Sequence, residues 1–305
     1  MDEEFLEEYR RLLGWMPEKC DLNPRLVERV QKDGYVREKV IYTVEEGEDV
    51  PAYLLIPDGV EKPAPAILCI HQHAAMFGIG KSEAAGRIGY PHGQYALRYC
   101  RAGFITLAAD QRAFEERKRP RDWSGDRMAV EELILAGRTM AGAFAYEAGR
   151  AIDYLQTRPE VDAERIGITG HSMGAMAALV TLPVERRIKA AVVSCGVNTY
   201  RGRIERGETM PGAWLIPGIM RRYELTDIYA AAAPTPLLLC AGRRDGTFKY
   251  ADFEEAVPVV RAAYERAGCP ERFQVHVEDV GHVYTEEMYR KGTEWFRRWL
   301  CGGKG

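Results

Sequence analysis

The run Arg165-Ile-Gly-Ile-Thr-Gly-His-Ser-Met-Gly-Ala-Met-Ala-Ala-Leu179 restricts the fold of this chain more than any other. Ile166 and Ile168 open it as a short apolar strand, Gly170-His171-Ser172-Met173-Gly174 turns sharply, and an Ala/Met/Leu-rich segment leaves as a helix. This is G-x-S-x-G with a strand before it and a helix after it, the context in which the pattern has a mechanism. Side chains at the two glycine positions would collide with neighbouring backbone. The turn lifts the Ser172 hydroxyl clear of the sheet and leaves the Met173 amide at a helix start. A structural Gly/Ser turn is the alternative. An acid and a histidine following in the right order would separate the two.

The chain's overall balance narrows its class. With 46% hydrophobic and 29% charged residues and a net charge of -3, it reads as an ordinary globular protein with no electrostatic pull toward nucleic acid or an anionic membrane. Its apolar runs, such as Pro234 to Ala241, are too short to span a bilayer. The N-terminus is acidic where a secretory leader would be basic and then apolar, which predicts a cytoplasmic protein. Seven cysteines are scattered singly, several of them in apolar strands, and fit reduced thiols rather than a disulfide frame or a zinc site.

Read in order, residues 2–16 place Phe5, Leu6, Tyr9, Leu12 and Leu13 at helical spacing. Residues 35–44 and 50–56 read as an antiparallel hairpin joined by an acidic turn. From residue 57 onward, continuous apolar runs at 66–70, 104–109, 166–168, 188–195 and 237–241 look like strands buried on both faces. Helical stretches lie between most of them, the longest predicted over 129–155 with Leu133, Met140, Phe144, Ala148, Ala151 and Leu155 on one stripe. The alternation predicts an α/β fold with a doubly wound, mostly parallel sheet in a single domain over 1–305. Residues 1–34 form a helical N-terminal extension in this reading, and residues 196–224 a lid-like segment. The charged loop 110–128 is a second irregular stretch.

A serine hydroxyl needs a base, and the base needs a third group to orient it. For this topology the chain order is serine, acid, histidine. Asp245 ends the strand that begins at Pro236, in a glycine-flanked turn suited to an orienting carboxylate. Asp252 and Glu254 fall at the start of the next helix, where acids are ordinary. Of the two later histidines, His276 sits inside a strand, whereas His282 follows Gly281 in a loop and is the predicted base. Met173 offers one backbone donor for an oxyanion. A second is expected from the loop after the strand ending at His71, from the amide of His73 or of Gln72.

The spacing His71-x-His73 also admits a metal-dependent hydrolase, with His92 or Asp110 as further ligands. No second H-x-H and no H-x-x-x-H supports it, so no metal and no cofactor is expected. Gly80-Lys81-Ser82 lacks the upstream glycine of a phosphate loop, position 75 being alanine, and is read instead as part of an ion pair bracing the loop before it.

With Ser172, Asp245 and His282 in place, the chain resembles the α/β-hydrolase superfamily over nearly all its length beyond residue 35. Within it, the chain is similar to the bacterial dienelactone-hydrolase-like and acetyl-xylan-esterase-like group. The His71-Gln-His loop running into Gly80-Lys-Ser-Glu83, the elbow, Ile216-Pro-Gly218, and the run from Asp227 to Leu239 carry the resemblance. It implies a sheet of about eight strands, the first pairs antiparallel, and cofactor-free ester hydrolysis. Dienelactone hydrolases carry cysteine where this chain has Ser172, which favours a serine carboxylesterase or carbohydrate acetyl-esterase acting on a small-molecule ester. An amidase or peptidase, or a non-catalytic member of the fold, are the alternatives. Trp123, Trp214, Met210 and Met220 are candidate pocket walls, and the arginine-rich 110–128 loop is a candidate contact for a polar or acidic group. Homo-oligomerisation is left open.

Overall fold

The computed structural model describes residues 3–119 and 126–302. Its centre is one nine-stranded sheet: β1 (Arg25–Lys32), β2 (Tyr35–Glu45), β3 (Glu48–Pro57), β4 (Ala64–Ile70), β5 (Ile105–Ala109), β6 (Val161–His171), β7 (Ile188–Ser194), β8 (Leu237–Gly242) and β9 (Phe273–Glu278). The spatial order is β1-β2-β3-β5-β4-β6-β7-β8-β9. The first three strands form an antiparallel meander, β3 meets β5 antiparallel, and every pair from β5 onward is parallel.

The apolar runs are continuous because both faces of the central strands are covered. Leu68 and Ile70 of β4 pack into one core with Leu107 of β5, while Ile67 and Cys69 face a second core with Ala108. The period of two therefore splits one hydrophobic run between two helical layers. The first layer holds α1 (Glu3–Leu12), α5 (Met140–Gln156), α6 (Met173–Thr181), α8 (Leu225–Ala230) and α9 (Tyr250–Arg266); the second holds α3 (Tyr95–Arg101) and α10 (Glu286–Leu300). The short helices α2 (Lys81–Ala84), α4 (Arg127–Leu135) and α7 (Tyr200–Glu205) lie in the connections.

Two expectations are corrected. The 1–34 extension is not purely helical: after α1, residues 25–32 form β1, a ninth strand paired with β2. Its residues are nearly all exposed, and Arg25, Glu28, Arg29 and Lys32 line an open edge where charge discourages pairing with another chain. A strand without a buried face carries little hydrophobic signature, so its sequence did not announce it.

The helix expected over 129–155 is two, α4 and α5, separated at Ala136–Thr139. Gly137 takes φ +74°, and Thr139 caps α5 by accepting a hydrogen bond at Oγ1 from Gly142 N at 2.9 Å. The Thr139 hydroxyl in turn donates to Leu13 O at 2.8 Å, and Gly14 bridges Arg138, so the break docks the end of α1. The apolar stripe runs through the interruption because Val130 and Leu133 of α4 join the same core as Met140 and Phe144 of α5.

Residues 196–224 consist of α7 and two 3-10 turns, Gly212–Trp214 and Ile219–Arg221. Trp214 is almost wholly buried, lying edge-on to Phe248 at 5.9 Å, and its carbonyl accepts from the Tyr200 hydroxyl at 2.9 Å. The segment is thus packed down by its own aromatic anchor. Among the described residues, no helix is long and apolar enough to cross a membrane.

Candidate active site

The elbow is a backbone requirement before it is a chemical one. Ser172 sits at φ +57° and ψ −121° between β6 and α6, a conformation that costs a non-glycine residue on the order of 1–3 kcal/mol. A Cβ on Gly170 would stand 2.2 Å from the Gly174 carbonyl carbon, and one on Gly174 would stand 2.0 Å from Ile70 O. Neither position can carry a side chain. The Ser172 amide donates to Ser194 O on β7 at 3.0 Å, tying the strained residue to the neighbouring strand.

Asp245 lies in the turn after β8. Its Oδ1 accepts from the amides of Thr247 at 2.8 Å and Phe248 at 2.9 Å, while Oδ2 stands 2.8 Å from His282 Nδ1. Burial pushes the carboxyl up, but His282 and the two amides outweigh it and hold Asp245 below the usual carboxylate range. An ionised carboxylate can only accept, so His282 carries its proton on Nδ1 and leaves Nε2 as the basic nitrogen. Phe248 stacks on the imidazole at 5.4 Å, and the buried ring of His171 lies 4.6 Å from it.

Ser172, Met173, His73 and His282 line one cavity of about 410 Å³. Gln72 is outside that lining: its side chain donates to Glu83 Oε1 at 2.9 Å. The rival acids and base are engaged elsewhere. Asp252 is bound by Arg206 at 2.7 Å, Glu254 is exposed on α9, and His276 on β9 faces Glu278 at 3.1 Å. Cys195 lies close to Asp245 and His282, but burial and the Asp245 charge push its thiol up to about 12, so it stays protonated.

The two histidines of the loop have separate partners. His71 is fully buried; its Nε2 accepts from Gln111 N at 3.0 Å, so Nδ1 carries the proton and donates to Gln72 O at 2.8 Å. Burial takes its pKa down to about 4. His73 turns its Nδ1 to the Ala75 amide at 3.0 Å and its Nε2 toward Asp126 at 3.5 Å. His92 faces the Gln72 amide group, and Asp110 is committed to Lys81. Among the described residues, no three of these four bring their ligand atoms together.

Lys81 does brace the loop, through carboxylates that come from the segment after β5. Its ammonium is fully buried and lies 2.8 Å from Asp110, 2.6 Å from Glu115 and 2.5 Å from Glu116. Burial opposes its charge, yet the three carboxylates more than offset this and hold Lys81 above the ordinary lysine range. Glu115 also accepts from the Gly80 and Ser82 amides, so the loop following His73 is fastened to the one following β5.

The candidate pocket residues distribute differently from expectation. Met210, Trp214 and Met220 line a separate outer groove, and Trp123 lies outside the described residues. The arginines of the 110–119 stretch are engaged by carboxylates of the chain: Arg112 and Arg117 each pair with the buried Glu147 at 2.6 Å, and Arg119 with the exposed Glu132 at 2.7 Å. The cavity wall instead comes from Met140 and Phe144 on α5, Met176 on α6, and Pro211–Ala213. The i, i+4 spacing of Met140 and Phe144 signals a buried stripe, but not that its upper end borders the serine.

A mostly parallel sheet carrying a strained serine turn, with an acid and a histidine delivered from later strands, defines the α/β-hydrolase class. The chain belongs to the Abhydrolase family, whose model matches residues 8–294. It is 25% identical over 293 residues to the Bacillus subtilis (strain 168) protein named "Putative hydrolase YtaP", covering 95% of this chain and 97% of that one. Among solved structures it is similar to one named as a "putative acetyl xylan esterase" from Bacteroides fragilis NCTC 9343, with TM-score 0.74 and 24% identity over 90% of this chain and 75% of that one. It is also similar to the glucuronoyl esterase from Solibacter usitatus, with TM-score 0.72 and 15% identity over 96% and 91% of the two chains. At these identities the structural likenesses establish the shared fold.

Proposed function

We propose that the protein is a serine hydrolase of carboxylic esters, of carboxylesterase or carbohydrate acetyl-esterase type, working through an acyl-enzyme on Ser172. The observation that carries this reading is the 2.8 Å contact between Asp245 and His282, with His282 and Ser172 bordering the same cavity. Membership of the family and the esterase names of the structural neighbours support it.

In this mechanism Ser172 Oγ attacks the ester carbonyl carbon while His282 Nε2 accepts the hydroxyl proton. Asp245 stabilises the imidazolium and keeps the ring oriented. The carbonyl oxygen, now anionic, takes hydrogen bonds from the backbone N–H groups of Met173 and His73. His73 is preferred over Gln72 because only the former borders the cavity. As the tetrahedral intermediate collapses, the alcohol leaves with the proton from His282. Water, deprotonated by the same nitrogen, then releases the acid. The cycle uses no cofactor.

The test is hydrolysis of a p-nitrophenyl ester by wild type and Ser172→Ala, with mass spectrometry after a serine-directed phosphonate. The expected results are a loss of about 10⁴-fold or more in kcat and an adduct on the Ser172 peptide. Near-wild-type turnover by the alanine variant would remove the serine mechanism. Faster cleavage of the matching anilide than of the ester would move the assignment to an amidase.

A further inference from the structure

The cavity beside Ser172 has two chemically different sides, and the topology says which part of an ester meets each. Asp245 and His282 come from the β8–β9 side of the elbow, whereas the His73 loop leaves β4 on the other side. α5 packs over β4, β5 and β6, so Met140 and Phe144 stand on the His73 side. Met176 projects from α6 one turn beyond Met173, and Pro211–Ala213 cover the same wall. An alcohol leaving group must lie toward His282 to receive its proton. The acyl group therefore extends away from His282, along the α5–α6 wall.

That wall is apolar. Met140, Phe144 and Met176, with Pro211 and Ala213, offer thioethers, a ring and aliphatic carbon but no side-chain hydrogen-bond partner for a sugar hydroxyl. Among the described residues, the carboxylate bordering the cavity is Asp126, 3.5 Å from His73 Nε2, which disfavours an acyl group carrying its own negative charge. An apolar cavity of roughly 150 Å³ suffices to hold benzene. The 410 Å³ here is far more than a two-carbon acyl group fills, even with part of it given to the alcohol.

Resting on the serine-esterase reading above, we propose that this site selects esters of uncharged, apolar acids larger than acetic acid, of about butanoyl to octanoyl or benzoyl bulk. The α5–α6 wall is their acyl subsite, and the flexible side chains of Met140 and Met176 adapt to different acyl shapes beside the Phe144 ring.

The experiment is a panel of p-nitrophenyl acetate, butanoate, hexanoate, benzoate and hemisuccinate, read as kcat/KM, with phosphonate labelling of Ser172 run in parallel. Burial of each methylene is worth about 0.8 kcal/mol, or roughly fourfold. Hexanoate should therefore exceed acetate by about tenfold or more, and hemisuccinate should fall about tenfold or more below butanoate. Met176→Phe, and independently Met140→Phe, should shrink the hexanoate-to-acetate ratio by about fivefold or more. Acetate preferred by a wild-type enzyme whose Ser172 is labelled would overturn the acyl subsite alone. An unchanged ratio in both folded variants would overturn its placement. Absence of all hydrolysis and of labelling would instead remove the serine-esterase reading on which it rests.

Discussion

His282 Nδ1 and Asp245 Oδ2 are 2.8 Å apart across 37 residues of chain, and two backbone amides on Oδ1 leave the carboxylate no freedom to rotate away. The pair fixes which imidazole nitrogen carries the proton. Asp245→Asn keeps the shape but presents an amide N–H or a weaker acceptor, which favours the wrong tautomer. We expect kcat/KM for a p-nitrophenyl ester to fall by about 10⁴-fold with an unchanged circular dichroism spectrum. A loss smaller than about tenfold would assign the orienting role to another group.

The elbow should tolerate almost nothing at Gly174. An alanine methyl there meets Ile70 O at 2.0 Å, and that oxygen belongs to the central strand β4 rather than to a movable side chain. Gly174→Ala should cost about 3 kcal/mol of stability, read as a lowered urea midpoint, and should also reduce phosphonate labelling of Ser172. Full stability would mean that the turn relaxes in a way this backbone does not reveal.

Lys81 is the cation that three acids share. Replacing it by methionine leaves the buried Asp110 without its counter-charge, a change expected to cost about 3–5 kcal/mol. Because Gly80 and Ser82 hang on Glu115 in the same cluster, the His73 loop should loosen as well. The measurement is a urea midpoint together with kcat: a stability loss with an unaltered kcat would separate the brace from the oxyanion site.

Acid should weaken the fold through its buried neutral histidines, opposed in part by Asp110, whose carboxyl burial pushes up to about 6 so that its protonation favours the folded state. His71 is held neutral by burial, with a pKa of about 4 against 6.5 when exposed. The folded value is depressed, so protonation favours the unfolded chain. Stability is fully present above pH 6.5 and is lost as pH falls toward 4, by about 3 kcal/mol for this one group. His171, lowered in the same direction chiefly by burial, adds to the slope. Urea unfolding from pH 7.5 to 4.5 should show this decline, and His71→Asn should flatten it. A slope that His71→Asn leaves unchanged would contradict the buried neutral state of His71.

Much of the site was legible because its demands are local. Two glycines around a serine, a strand before and a helix after are covalent neighbours, and a turn this tight admits few other residues. Asp245 and His282 were legible through order and position, each following an apolar strand. The rest depended on segments that meet only in space. β1 has no buried face to imprint on its sequence. The break between α4 and α5 follows from the docking of Leu13 and Gly14 more than 120 residues earlier in the chain.

By itself, then, the sequence determined the class of fold, the strained elbow and the candidate acid and base, since short-range sterics and the period-two burial of strands are written residue by residue. Only the tertiary structure decided which loop residue borders the serine, which acids neutralise Lys81 and which side chains wall the cavity. Those properties arise where β4, β5 and α5 converge, and burial turns such contacts into large energies: a charge without its partner, or a methyl group against a carbonyl, is costly only once water is excluded.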